Sequence, residues 1–275
     1  MSETPFRVGP PRGWEALDLA ELWDFRELVW FLVWRDVKVR YKRALLGVAW
    51  ALVQPAMTMV IFTIVFGRLA GLPSEGVPYP LFTLAALLPW QLFSGAVNGS
   101  SNSLIGNSAL LSKVYFPRLI MPLASVAATV VDLAVALGLL VVMMAWYAHA
   151  PTAAILTLPL FVVIALVTAF GIGLWITALT VKYRDVQYLI PFAMQFLLLA
   201  SPVAYSSQVV PDGTARMLFA LNPLVGIVQG FRWALLGTAP PTLAVMAPSL
   251  LIATVLLVSG LFFFRRMEAT FADVI

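Results

Sequence analysis

LIMPLASVAATVVDLAVALGLLVVMMAWY (119–147) carries one charged residue, Asp132, in a run longer than the ~20 residues a helix needs to cross hydrocarbon. After a short break at His149 and Pro151, AAILTLPLFVVIALVTAFGIGLWITALT (153–180) carries none. Two such runs in succession read as consecutive membrane spans, and this reading decides the fold. Both exceed the minimum length, which predicts tilt or extension beyond the hydrocarbon. Working outward, residues 45–66, 81–99, 189–206 and 243–264 have the same character, which makes six spans. The first contains Gln54–Pro55, which predicts a kink. The fifth is short and contains Pro191 and Pro202.

Composition agrees. Of 275 residues, 61% are hydrophobic and 11% charged. A soluble domain carries about 45–50% apolar and ~25% charged residues. A chain of this size has no way to hide so much apolar surface from water, and disorder requires the opposite composition. The expected class is an all-α polytopic membrane protein. Cysteine is absent and His149 is the single histidine. Disulfides, thiolate or multi-histidine metal sites and a cysteine nucleophile are thereby excluded.

Charge placement predicts orientation. Arg7, Arg12, Arg26, Arg35, Lys38, Arg40, Lys42, Arg43, Lys113, Arg118, Lys182, Arg184, Arg265 and Arg266 fall on one side of the six spans. Only Arg68, Arg216 and Arg232 fall on the other. The positive-inside rule then predicts that both termini are cytoplasmic. No cleavable signal peptide is expected, because the charged first 40 residues lack a short apolar core followed by small residues.

Residues 1–20 read as a loosely ordered arm. In 21–43, Asp24, Glu27, Arg35, Lys38 and Lys42 recur at helical spacing, while Leu22, Phe25, Val29, Leu32 and Val33 fall largely on another face. Trp23, Trp30 and Trp34 add interfacial aromatics. This predicts an amphipathic helix lying on the membrane surface. The domain expectation is therefore a cytoplasmic arm and interface helix, 1–44, before a six-span domain, 45–275. A short cytoplasmic tail occupies 265–275. Segment 207–242 is too apolar for a loop and too broken for a span. Asn222–Pro223 divides it into helix candidates near 213–221 and 223–236, read as an outer re-entrant pair. One surface helix with loops is the alternative.

Motifs for chemistry are missing. A P-loop needs a lysine after glycine to cradle phosphates, and none of Lys38, Lys42, Lys113 and Lys182 follows one. No triad or zinc-protease motif is present, so no catalytic residue is expected on this chain. Asp132 is the one ionisable residue well inside a span. It marks either a pathway or a structural carboxyl hydrogen-bonded to a neighbouring span, and the lack of a second intramembrane charge favours the structural role. VKYRDVQYLIPF (181–192), with Tyr183, Arg184 and Asp185 on a turn, reads as a positive-inside loop or a docking point for a cytoplasmic partner. SKVYFPRLIMP (112–122) has the same two readings, and the polar run 98–112 before it suits a short gate helix. Trp50, Phe62, Phe66, Trp90, Phe93, Phe192, Phe196 and Tyr205 fall in spans one, two and five. They are packing or interface aromatics, or rings lining a path for a polymer whose sugar CH faces stack on them.

Taken in order, RDVKVRYK (35–42), LGVAWALVQP (46–55), YPLF (79–82), LPWQLF (88–93), SKVYFPRLIMP (112–122), YRDVQYLIPF (183–192), SPVAYS (201–206), NPLVGIVQGFRWALLG (222–237) and RRMEATFADVI (265–275) resemble the permease subunit of polysaccharide-exporting ABC transporters. That family carries O-antigen, capsule or teichoic-acid polymers. The resemblance spans nearly the whole chain after residue 20. It implies six spans, two short outer gate helices, and a homodimer enclosing a channel in a bacterial inner membrane. It also implies two copies of a separate ATPase subunit that binds ATP and Mg, with no cofactor on this chain. The implied substrate is a polyprenyl-diphosphate-linked polysaccharide, most simply O-antigen. Membrane lipids are the other partners, and no nucleic acid is expected.

On that resemblance, Arg26, Glu27, Tyr183, Arg184 and Asp185 are expected to dock the ATPase. Arg35, Lys38, Arg40, Lys113 and Arg118 are expected to meet the lipid diphosphate, where charge-assisted bonds favour arginine. The eight aromatics above line the channel, and Asn222, Pro223, Arg232 and Trp233 belong to the outer gate. Two other functions are weighed: an ABC permease for a small drug or antibiotic, and a membrane enzyme acting on lipid-linked sugars. The enzyme would need convergent carboxylates or histidines, which the sequence lacks. A secondary transporter would need repeated halves with intramembrane ion ligands, and no internal repeat is found.

Overall fold

The computed structural model describes residues 19–42, 49–111, 113–211 and 213–274, the side chains of 19–21, 269, 270 and 272–274 excepted. Most of the expected arm 1–20 lies outside the described residues, as do residues 43–48 at the head of the first expected span. The described residues are helical and turn-forming, with no strand among them. The chain runs α1 (Leu19–Asp24), α2 (Arg26–Lys42), α3 (Ala49–Phe62), α4 (Tyr79–Asn102), α5 (Ser108–Leu111), α6 (Ile120–Trp146), α7 (Leu158–Lys182), α8 (Val186–Ala200), α9 (Thr214–Ala220), α10 (Pro223–Leu236) and α11 (Leu243–Val274).

Among the described residues, five helical segments are long and apolar enough to cross a membrane: Ala49–Leu69, Tyr79–Asn102, Ile120–Trp146, Ala153–Lys182 and Leu243–Glu268. The first joins α3 to a π-helical turn, Thr63–Leu69. The expected fifth span, 189–206, takes a different form. Its helix starts at Val186 and stops at Ala200, after 15 residues. At 1.5 Å per residue it is about 22 Å long, short of the ~30 Å hydrocarbon core. Pro202 is the physical cause, since it pushes the preceding residue out of helical geometry. Ser201 is extended, with φ −103° and ψ 151°.

Helices α9 and α10 form a pair bent by 81°. Asn222 makes the corner: its side-chain oxygen accepts from the Leu224 amide at 3.0 Å, and Pro223 fills the first helical position. Gly237, at φ 67°, closes α10 in the left-handed conformation and donates its amide to Trp233 O at 3.0 Å.

α4 is the central helix and packs against α3, α6, α7, α8 and α10. Leu81, Phe82, Leu84, Ala85, Phe93 and Ala96 are all fully covered. The most extensive contact in the molecule is that of α7 with α11. Gly171 permits it: a Cβ there would stand 2.6 Å from the Leu257 nitrogen. Trp175 stacks on Phe263 with 4.0 Å between centroids, and its indole nitrogen donates to Ser259 Oγ at 3.1 Å. Between α4 and α7, Thr177 Oγ1 donates to Ser100 O at 2.8 Å.

Through the expected tail, 265–275, α11 runs on as helix to Val274. Phe264 and Phe271, two turns apart on one face, are both buried in a cluster with Leu32, Phe116, Leu119 and Leu174. The N-terminal helix forms, but it does not divide cleanly into apolar and polar faces. Leu32 and Val37 are buried, yet Trp23, Trp30, Phe31 and Trp34 are exposed. The helix has a protein-facing apolar side as well as an uncovered aromatic one, because α2 packs along α6.

Candidate functional site

Most of the positive charge that the sequence assigns to one side gathers at one end of the bundle. There α2, the loop 113–119, the last turns of α7 and the end of α11 meet over a shared apolar cluster. Of the five residues expected to meet a diphosphate, three have partners within the chain. Arg35 donates through Nε at 3.0 Å and Nη2 at 2.8 Å to one oxygen of Asp36. Arg118 bonds to the Glu268 carbonyl through its guanidinium and to the Glu268 carboxylate through its own amide, and it lies 5.9 Å from the Phe271 ring centroid. Arg265 donates to the other carboxylate oxygen of Glu268 at 2.9 Å. Arg40 reaches Asp132. Lys38 and Lys113 are exposed.

Asp132 is correspondingly not alone. Arg40 Nη1 donates to its Oδ2 and the Tyr41 hydroxyl to its Oδ1. The hydrogen-bonded carboxyl expected for the structural role is found, with its partners on α2 rather than on a neighbouring span, Arg40 lying 92 residues away in sequence. Tyr41 was not singled out in the sequence, where nothing pairs it with a residue so distant.

The turn after α7 presents its side chains outward. Tyr183, Arg184 and Asp185 are all exposed. The backbone closes the turn through Val186 N to Tyr183 O at 3.1 Å and Tyr188 N to Asp185 O at 3.1 Å. Lys182 Nζ lies 5.1 Å from the Tyr183 ring centroid. Arg26 and Glu27 are exposed at the start of α2, and Arg26 is bonded to the Trp23 carbonyl. These five residues therefore offer exposed polar groups on two elements, the turn after α7 and the start of α2.

The expected channel aromatics separate into three groups. Phe192 and Phe196 are 72% and 68% exposed, one turn apart on α8, and Trp50 is exposed on α3. Phe62 and Phe66 are half-buried and meet edge to face at 5.3 Å. Tyr205 is half-buried beside Phe219. Trp90 and Phe93 lie inside the core, and Phe93 is fully covered. A ring enclosed by its own chain offers no surface to a passing polymer, so those two residues pack span two instead.

At the opposite end, Arg232 is buried. Nε donates to Phe82 O at 3.3 Å, Nη1 to Tyr205 O at 3.3 Å and Nη2 to Val203 O at 3.0 Å. The guanidinium lies over the Phe82 ring. It thereby ties α10 to α4 and to the segment after α8. Asn222 Nδ2 donates to Ser201 Oγ at 2.9 Å, and Trp233 meets Phe161 edge to face. Glu75, which sequence reading passed over, accepts from Ser206 Oγ and holds a left-handed φ of 55°. A polar cavity of about 110 Å³ lies beside Arg232, with Glu75, Ser207, Arg216 and Gln229 on its walls. Two of its lining groups are joined, Gln229 Nε2 donating to Ser207 Oγ at 2.7 Å. An apolar cavity of about 370 Å³ lies between Phe93, Leu197, Phe219 and Leu256. His149, the single histidine, bonds the Leu236 carbonyl through Nε2 at 3.0 Å.

Among the described residues, no three His, Cys, Asp or Glu side chains gather where a metal could be held. The arrangement provides surfaces, a buried clamp and membrane spans.

The family model described as ABC-2 type transporter matches residues 27–236. The O-antigen export system permease protein RfbA of Myxococcus xanthus is 29% identical over 254 residues, covering 90% of this chain and 96% of that protein. A protein of the same name from Klebsiella pneumoniae is 25% identical over 244 residues, covering 88% and 92%. The polysialic acid transport protein KpsM of Escherichia coli is 24% identical over 207 residues, covering 74% and 78%.

Proposed function

Because the chain belongs to the ABC-2 type transporter family, we propose that it is the permease subunit of a polysaccharide exporter, with O-antigen or a similar glycan as cargo. The observation that carries this reading is the near full-length alignment with permeases named for O-antigen export. The proposal extends to a homodimer in a bacterial inner membrane, with both termini cytoplasmic. Two copies of a partner ATPase bind ATP and Mg and drive it.

The residues support a division of labour. Tyr183, Arg184 and Asp185, with Arg26 and Glu27, form the exposed polar surface on which the ATPase docks. A polyprenyl diphosphate arrives at the same end. Lys38 and Lys113, exposed there, are its first contacts, since phosphate draws ammonium groups that keep their donors free. Arg35, Arg40 and Arg118 shape the surface around them through their own carboxylate and carbonyl partners. The glycan passes between two copies of the chain along the uncovered faces of α3 and α8, where Phe192, Phe196 and Trp50 offer flat apolar surfaces to sugar CH groups. Stacking of this kind lacks fixed hydrogen bonds, which suits a polymer that must slide.

The test is purification of the chain in mild detergent from its native membrane, mass spectrometry of what accompanies it, and an ATPase assay with lipid-linked glycan added. A co-purifying P-loop ATPase whose hydrolysis the glycan lipid alters is the expected result. A chain free of any ATPase that transforms a lipid-linked sugar would replace the exporter with an enzyme.

A further inference from the structure

Helix α2 is tied to α6 at two levels. Near its middle, Leu32 lies in the apolar cluster that also holds Leu119 and Ile120 at the head of α6. Eight residues further, about 12 Å along the helix, Arg40 and Tyr41 both reach Asp132. Asp132 lies 12 residues into α6, about 18 Å from its start. The carboxylate uses a different oxygen for each donor.

The energetics favour a permanent tie. A carboxylate within a membrane span is costly unless a cation and a hydrogen bond accompany it. Removing Arg40 leaves the carboxylate with the Tyr41 hydroxyl as its remaining partner. Sliding α2 by one turn, 5.4 Å, would separate the charges and draw Leu32 out of its cluster together. The pair therefore resists relative motion at both levels.

We propose that Arg40, Tyr41 and Asp132 form a latch that makes α2 and span three one mechanical body. A push received by α2 is then delivered to span three rather than absorbed in the packing between them. These are positioning residues, acting through the helix they hold. The inference rests on the exporter reading for its functional consequence and on the geometry alone for the latch.

The test uses the chain with its co-purified ATPase in native membrane vesicles. Asp132→Ala and Tyr41→Phe are expected to retain the ATPase partner and basal hydrolysis. Export per ATP should fall on the order of ten- to a hundredfold, the range of a typical coupling between sites. The conservative Asp132→Glu should retain export, and the charge reversal R40D/D132R should recover most of what either single reversal loses. Wild-type export per ATP in both Asp132→Ala and Tyr41→Phe would overturn the latch.

Because the chain has no cysteine, R40C/D132C can be joined with a short bismaleimide. Export lowered in R40C/D132C and restored by the cross-link supports the latch, and export that the cross-link abolishes shows that the residues must separate and overturns it. Should the wild-type chain show no ATP-dependent export, the exporter reading fails on its own. The latch is then decided by thermal unfolding of Arg40→Ala, Asp132→Ala and the double variant. Losses smaller in the double than the sum of the singles support it, and additive losses overturn it.

Discussion

The guanidinium of Arg232 lies 3.4 Å from the centroid of the Phe82 ring while its Nε donates to the carbonyl of that same residue. One side chain of α10 thus meets α4 through both a ring face and a backbone acceptor. Two further carbonyls, Val203 and Tyr205, take its remaining bonds. The bent pair α9–α10 is therefore unequal in its anchoring: α10 is pinned to the central helix, whereas α9 leaves Met217 and Leu218 exposed.

Arg232→Ala should destabilise the protein by about 3 kcal/mol or more, since each buried carbonyl left without its donor costs about 1–3 kcal/mol. Arg232→Lys should recover only part of this, because a point ammonium does not reproduce the planar fork that reaches three acceptors. Thermal unfolding of the detergent-solubilised protein measures both. Equal stability of Arg232→Ala and wild type would contradict the clamp.

Gly171→Ala should disrupt the packing of α7 on α11. The added Cβ would stand 2.6 Å from the Leu257 nitrogen, and backbone does not yield as a flexible side-chain end does. Overpacking of this kind costs about 1–3 kcal/mol. Gly138→Ala is the control, because a Cβ there meets nothing within 4 Å. It should be neutral or stabilising in the same unfolding assay.

Much of this architecture is legible in the sequence, for physical reasons that also mark where legibility ends. The run 119–147 appears as Ile120–Trp146 because hydrocarbon leaves a helix as the backbone's best way to satisfy itself. The corner at Asn222–Pro223 is readable because both residues stop one helix and start another. Pairing is another matter. Arg40 and Asp132 are 92 residues apart, and no local pattern joins them. Aromatic content likewise does not say which rings face inward. Trp90 and Phe93 lie in the core because α4 is surrounded on all sides, a property of its neighbours rather than of its own residues. The C-terminal helix continues past its last lipid-facing residues because Phe271 finds a buried partner in Phe264, 5.4 Å away between centroids.

Replacing Arg184 and Asp185 by alanine should leave unfolding temperature unchanged, because both side chains are exposed and exposed positions contribute within about 0.5 kcal/mol. Coupled export should be lost while the permease remains assembled. Export at the wild-type rate would move the docking surface elsewhere.

Lys38→Ala combined with Lys113→Ala should weaken binding of a polyprenyl-diphosphate glycan on the order of tenfold, as expected for the loss of charged hydrogen bonds to phosphate. Arg118→Ala should instead appear first as lost stability, since it removes the bonds that hold the loop to Glu268. Binding to native membranes by a labelled lipid analogue, alongside unfolding, separates the two effects. Unchanged affinity in the double lysine variant would contradict the assignment.

The central claim is that this chain forms an ATP-driven path for a lipid-linked glycan. Its most direct test is transport in inverted inner-membrane vesicles that contain the chain and its co-purified ATPase, supplied with polyprenyl-diphosphate-linked glycan. The account predicts ATP-dependent accumulation of glycan in the protected lumen, absent when the partner ATPase is inactivated. Accumulation that proceeds equally without ATP, or none at all from a complex that still hydrolyses ATP in response to the glycan lipid, would contradict it.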